Sequence, residues 1–101
     1  MSVSPPDMRE ILRTFEDNRL LPNLFGEHHR NLSELESALG VSIFAHGNEV
    51  RIRGPEAACE AAAHVLDEIY RRIATGHVID AGDVMGAARM AVARTKPDAP
   101  S

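Results

Sequence analysis

The chain has 101 residues, of which 44% are hydrophobic and 26% charged, and this fits one ordinary globular domain with a modest core. A net charge of −4 argues against the strongly basic class of nucleic-acid-binding proteins. The single cysteine, Cys59, excludes an internal disulfide and a multi-cysteine zinc site, and no apolar run reaches the roughly 20 residues that span a bilayer. We therefore expect a cytoplasmic domain without a membrane partner.

Both ends of the chain are rich in proline and small polar residues. We expect residues 1–8 to be a disordered lead-in and residues 95–101 to be a disordered tail. The first residues have neither a basic start nor an apolar stretch, so they do not form a signal peptide. One folded domain should then occupy residues 9–94.

The first predicted elements are a strand and a short helix. Between Glu10 and Phe15, the residues Ile11, Arg13 and Phe15 alternate with Leu12 and Thr14, which indicates a strand. Asp17 or Asn18 can cap a helix that ends at Gly26, and Pro22 is tolerated in its first turn.

A second helix and a β-hairpin follow. Leu32, Leu35 and Leu39 form a core-facing stripe, and Gly40 stands where a left-handed terminating residue belongs. A strand with alternating side chains then leads to Gly47-Asn48, a two-residue hairpin turn signal. On the returning strand the spacing places Val50 and Ile52 on one face, and Arg51 and Arg53 on the other.

Two further helices complete the domain. Pro55 fits the first position of a long helix whose apolar face continues to a stop at Gly76. Asp80 and Asp83 resemble a capping arrangement that begins a last helix. The order β-α-α-β-β-α-α predicts an α+β two-layer domain with a small three-stranded sheet covered by helices on one face.

The element order, with a glycine loop between its first two helices, resembles the KH fold, a small RNA-binding module. The match extends further, from about residue 10 to residue 92, to the N-terminal region of PhoH-like proteins. It is carried by Phe15-Glu16-Asp17-Asn18-Arg19-Leu20, Leu24-Phe25-Gly26, Leu39-Gly40-Val41-Ser42-Ile43, His46-Gly47-Asn48-Glu49-Val50, Gly54 and Ile79-Asp80-Ala81-Gly82-Asp83-Val84.

The resemblance implies a role in RNA metabolism next to a P-loop ATPase domain, which would be a partner in cis, and it also implies oligomeric assembly. That ATPase domain would bind ATP and magnesium. A phosphate-binding loop needs Gly-x-x-x-x-Gly-Lys-Ser/Thr, and the only lysine here, Lys96, lies in no such motif. We therefore expect no cofactor and no enzymatic activity in this chain, which is either an excised domain or a stand-alone relative.

The KH loop that grips nucleic acid is Gly-x-x-Gly, because glycines let the backbone approach a phosphate strand closely. The matching residues are Gly26-Glu27-His28-His29, so a histidine replaces the second glycine and Glu27 adds negative charge. Stacking or protonation of the histidines could compensate. The predicted RNA-binding residues are Gly26, His28, His29, Arg30, Arg51 and Arg53, with a structural turn at the loop and a solvated face at the two strand arginines as the alternatives.

Two functions are consistent with these residues. The first is weak, non-specific contact with single-stranded RNA. The alternative is a docking or oligomerisation domain that keeps the KH shape without binding nucleic acid, which the negative charge and the missing glycine favour. No histidine or cysteine cluster has metal-ligand spacing, and no nucleophile, base and orienting group come together, so neither a metal site nor catalysis is expected.

Overall fold

The computed structural model describes residues 8–95, which form three strands and four α-helices. The elements are β1 (Met8–Thr14), α1 (Leu21–Phe25), α2 (Arg30–Leu39), β2 (Ser42–His46), β3 (Glu49–Pro55), α3 (Glu56–Ala74) and α4 (Ala81–Thr95). This confirms the predicted α+β class and element order. The predicted disordered ends lie outside the described residues, apart from Met8 and Thr95, which belong to β1 and α4.

The three strands form an antiparallel sheet in the order β1-β3-β2. At its centre Ile52 on β3 lies opposite Ile11 on β1 and Ile43 on β2. The turn between β2 and β3 falls at Gly47-Asn48 as predicted, and Gly47 has a positive φ of 61°. Because β3 is central, both of its neighbours fix its register, and its side chains strictly alternate between buried and exposed.

The core lies between the sheet and the helices. Helix α3 packs against β1 and β3, and α2 packs against β2. Leu24, Leu35, Ile52, Leu66 and Ile69 are among the fully buried side chains. Helix α4 packs on α2 and α3, where Val84 and Ala88 are buried, so it extends the helical layer away from the sheet.

The other side of the sheet is not covered by any described element, and we call it the open face. Alternation along the strands sends every second side chain to it. Its members are Met8, Glu10, Leu12 and Thr14 of β1, Glu49, Arg51 and Arg53 of β3, and Ser42, Phe44 and His46 of β2.

Helix boundaries follow the local signals with two corrections. Asp17 caps a 3-10 helix, Asn18–Leu20, and α1 itself begins only at Leu21. Gly40 ends α2 in the left-handed region, and the amides and side chains of Asp80 and Asp83 form a reciprocal capping pair. Pro55, in contrast, is not the first helical residue: its ψ of 147° is extended, so it closes β3 and caps α3, which begins at Glu56. Its ring fixes only φ, and the pairing of Pro55 with Met8 keeps it in the sheet.

Candidate functional site

The loop between α1 and α2 begins at Gly26. The Gly26 amide donates to the carbonyl of Pro22 at 2.9 Å, which closes α1. Gly26 itself has φ 81° and ψ 170°, a region of backbone space that residues with a side chain almost never occupy. Glycine at this position is therefore a requirement of the backbone and also begins the loop.

The two histidines of the loop are both left-handed. His28 and His29 each have φ 56°, and they are the only residues other than glycine with positive φ in the described part of the chain. The His29 amide donates to the Gly26 carbonyl at 3.0 Å, and its imidazole meets the ring of Phe25 edge-on at 5.2 Å. A left-handed non-glycine residue costs about 1–2 kcal/mol. This loop holds two in succession.

Asn31, in the first turn of α2, holds the loop in place. Its side chain is buried, and Nδ2 donates to the carbonyls of Asn23 at 3.3 Å and Leu24 at 3.1 Å. It thereby satisfies carbonyls at the end of α1 that have no helical partner. Sequence reasoning missed Asn31, although its spacing of four residues from Leu35 places it on the apolar face of α2.

The surface of the loop is polar and carries charge of both signs. Residues 27–30 are exposed, and Arg30 forms a long ion pair, 4.0 Å, with Glu34. Helix α2 has no side-chain cap from the described residues, and the amide of Arg30, its first residue, donates to the carbonyl of Glu27. The exposed guanidinium of Arg30 favours an anionic group, whereas the carboxylate of Glu27 disfavours one.

The two predicted strand arginines lie elsewhere. Arg51 and Arg53 project from the open face of the sheet, whereas the loop belongs to the helical layer on its other side. Arg51 is already engaged, with Nε 2.9 Å from Glu10. The structure thus brings Gly26, His28, His29 and Arg30 together in one loop and places Arg51 and Arg53 on a separate surface.

The open face also carries apolar side chains that sequence reasoning did not select. Leu12 and Phe44 lie directly on either side of Arg51 across the strands, and they are 51% and 53% exposed. With His46 and Glu49 these three residues line a shallow hollow of about 240 Å³. The signal was present in the sequence, because Phe44 falls out of phase with the buried Ile43.

The remaining chemical groups do not assemble into a site. Among residues 8–95 no three histidine, cysteine or acidic side chains come close enough to hold a metal ion. Cys59 is buried with Sγ between 3.4 and 3.7 Å from the carbonyls of Arg9, Ile52 and Gly54, and burial raises the pKa of its thiol. In the same range of residues, no helix has both the length and the apolar character needed to cross a bilayer.

Comparison with known proteins adds information on the fold. No protein-family model matches the sequence, and no curated protein matches it. Among solved structures, the chain is similar to a protein of unknown function from Aeropyrum pernix, with a TM-score of 0.69 and 17% sequence identity. The match covers 91% of this chain and 50% of that protein, so the chain spans about half of its length. At this identity the likeness shows the fold alone.

Proposed function

We propose that this domain is a non-catalytic KH-like module of a PhoH-like protein and that it contacts single-stranded RNA weakly through the loop at residues 26–30. The proposal also places the domain in the cytoplasm, beside an ATPase domain in cis that would supply ATP and magnesium binding. In this arrangement the domain brings RNA to the ATPase and performs no chemistry itself.

The observation that carries the proposal is the backbone of His29. This residue stands where the Gly-x-x-Gly loop has its second glycine, and its φ of 56° lies in the region that glycine favours. The substitution has therefore not straightened the loop. Strained residues of this kind are retained mostly where a site requires a particular backbone shape, and we infer that the shape here is the one that receives a sugar-phosphate strand.

The surrounding groups support weak rather than tight binding. The exposed guanidinium of Arg30 attracts a phosphate, and the two imidazoles offer flat surfaces for bases. Glu27 and the net charge of −4 oppose the binding of RNA. We expect micromolar or weaker affinity that falls as salt rises, since each phosphate contact releases a counterion.

Fluorescence anisotropy with labelled single-stranded RNA tests the loop directly. Arg30→Ala and His29→Ala should each weaken binding about threefold or more. Arg89→Ala, which removes the same charge from an exposed position on α4, should change binding much less. If the two loop variants and the control bind RNA equally, the loop is not the contact.

A separate test addresses the family. The coding sequence downstream in the same frame should contain a Gly-x-x-x-x-Gly-Lys-Ser/Thr loop, which the proposed ATPase domain requires. A stop codon immediately after this chain, with no such loop in the same frame, would contradict the proposed arrangement in cis.

A further inference from the structure

From the open face of the sheet we infer a second property, independent of RNA binding: the face pairs two copies of this chain about a two-fold axis. Its apolar side chains are gathered rather than scattered. Leu12 and Phe44 occupy the central row of the face, and Met8, 46% exposed, lies at one end. Several large apolar side chains exposed on one sheet face indicate an interaction surface.

Charge decides which partner the face fits. It carries two acids, Glu10 and Glu49, and two arginines, Arg51 and Arg53, so its formal charge is zero with histidine neutral. A polyanion such as RNA gains little electrostatic binding free energy from a surface without net charge. A second copy of the same face is not repelled by it, provided that unlike charges can meet.

The positions of the charges allow that meeting. Along β3, Glu49 stands at one end, Arg51 in the middle and Arg53 toward the other end. We place a two-fold axis above the row formed by Leu12, Arg51 and Phe44, perpendicular to the strands. Two faces stacked about this axis have their strands running in opposite directions. Arg53 of each copy then lies over Glu49 of the other, while Phe44 and Leu12 meet their own equivalents.

The centre of this arrangement is compatible with association. The two Arg51 side chains approach each other there, but each is neutralised within its own copy by Glu10 at 2.9 Å. The centre therefore holds two internally neutralised ion pairs with Leu12 and Phe44 on either side, and Arg53 and Glu49 meet farther out, as an isologous interface allows. The sheet has only three strands, two of seven residues, about 24 Å long, and one of five, so the face is small and we expect a weak dimer with Kd on the order of 10–100 µM.

Sedimentation velocity of the full chain over a range of concentrations tests the pairing. Phe44→Glu should raise the dimer Kd at least tenfold. Met90→Glu is the matched control, because it places the same charge on an exposed apolar residue of α4, 64% exposed against 53% for Phe44, and it should leave the Kd unchanged. A chain that is monomeric up to about 1 mM, or equal effects of the two variants, would overturn the inference.

A mixing experiment tests the two-fold geometry itself. Arg53→Glu and Glu49→Arg should each weaken self-association about tenfold, since each variant alone brings like charges together. Mixed in equal amounts, the two variants should form a heterodimer at least as tight as the wild-type pair. Failure of the mixture to associate would overturn the arrangement. So would loss of RNA binding in Phe44→Glu without any change in sedimentation, because the face would then belong to nucleic acid.

Discussion

The carboxamide of Asn31 fills the space next to Gly26 that any other residue would need. A Cβ placed on Gly26 would lie 2.9 Å from Cγ of Asn31 and 3.0 Å from both its Nδ2 and Oδ1. The side chain of Asn31 can therefore be buried at this place only because residue 26 is a glycine. The same packing joins the end of α1 to the start of α2 through the hydrogen bonds of Asn31.

Gly26→Ala should destabilise the domain by about 2–3 kcal/mol, combining the strained φ of 81° with the displacement of Asn31. Urea unfolding followed by circular dichroism measures this difference. Gly86→Ala is the control: it lies on the exposed side of α4 with open space around it, and it should stabilise by about 0.5–1 kcal/mol. Similar effects of the two substitutions would contradict the steric argument.

Asn31→Ala should cost about 1–3 kcal/mol, because it leaves the carbonyls of Asn23 and Leu24 without a donor in a buried place. Asn31→Asp should cost more, since a carboxylate would face the same carbonyl oxygens. The comparison is made by thermal unfolding near neutral pH. Asn23→Ala, which removes an exposed side chain and keeps the accepting carbonyl, should have little effect. An aspartate variant as stable as wild type would exclude the donor role.

His28→Gly should stabilise the domain by about 0.5–1 kcal/mol, because glycine adopts a φ of 56° without the cost that a side chain imposes. His28→Ala keeps that cost and should leave the free energy of unfolding nearly unchanged. Chemical denaturation of the three proteins side by side gives the answer. A glycine variant less stable than the alanine variant would contradict the backbone argument, because both variants lack the imidazole and differ in how they tolerate a positive φ.

Stability should decrease in acid partly through Asp80. A hydrogen bond from the backbone amide of Asp83 holds the pKa of Asp80 below its ordinary value of 3.8. The stabilisation is therefore complete above that value and is lost as the pH falls below it through the lowered pKa. Asp80→Asn keeps a capping oxygen without a titrating group, so its Tm should fall less than that of wild type between about pH 5 and pH 2.

The control for this pH series is Glu60→Gln, at an exposed position on α3 outside the capping pair. Its Tm should follow the wild-type curve. Parallel curves for wild type and Asp80→Asn would show that the cap at the start of α4 does not contribute to acid sensitivity.

Cys59 should resist thiol reagents in the folded domain. It is fully buried on the side of α3 that faces the sheet, and burial raises the pKa of its thiol, so little thiolate is available for reaction. Labelling with a disulfide reagent such as DTNB should be slow in buffer and fast in denaturant. Rapid labelling in buffer, at a rate typical of a free thiol, would contradict the packing of α3 on the sheet.

Local patterns were sufficient to predict much of this fold. The hairpin, the stop at Gly40 and the pairing of Asp80 with Asp83 depend on residues a few positions apart, so the sequence alone specifies them. The loop was found through a resemblance, and its first residues were correctly placed after α1. Its conformation was not predictable, because the left-handed backbone of His29 goes with packing of its ring on Phe25 and a hydrogen bond to Gly26 at the end of α1.

The sequence by itself determined which side chains share a strand face or a helix face, since these follow from the periods of 2 and 3.6 residues. Only the tertiary structure decided the strand order β1-β3-β2, and with it the separation of Arg51 and Arg53 from the loop. It also decided that Leu12 and Phe44 flank Arg51 on an uncovered face. Leu12 is more than thirty residues from the other two in the chain, and only packing of the whole core brings its strand beside β3.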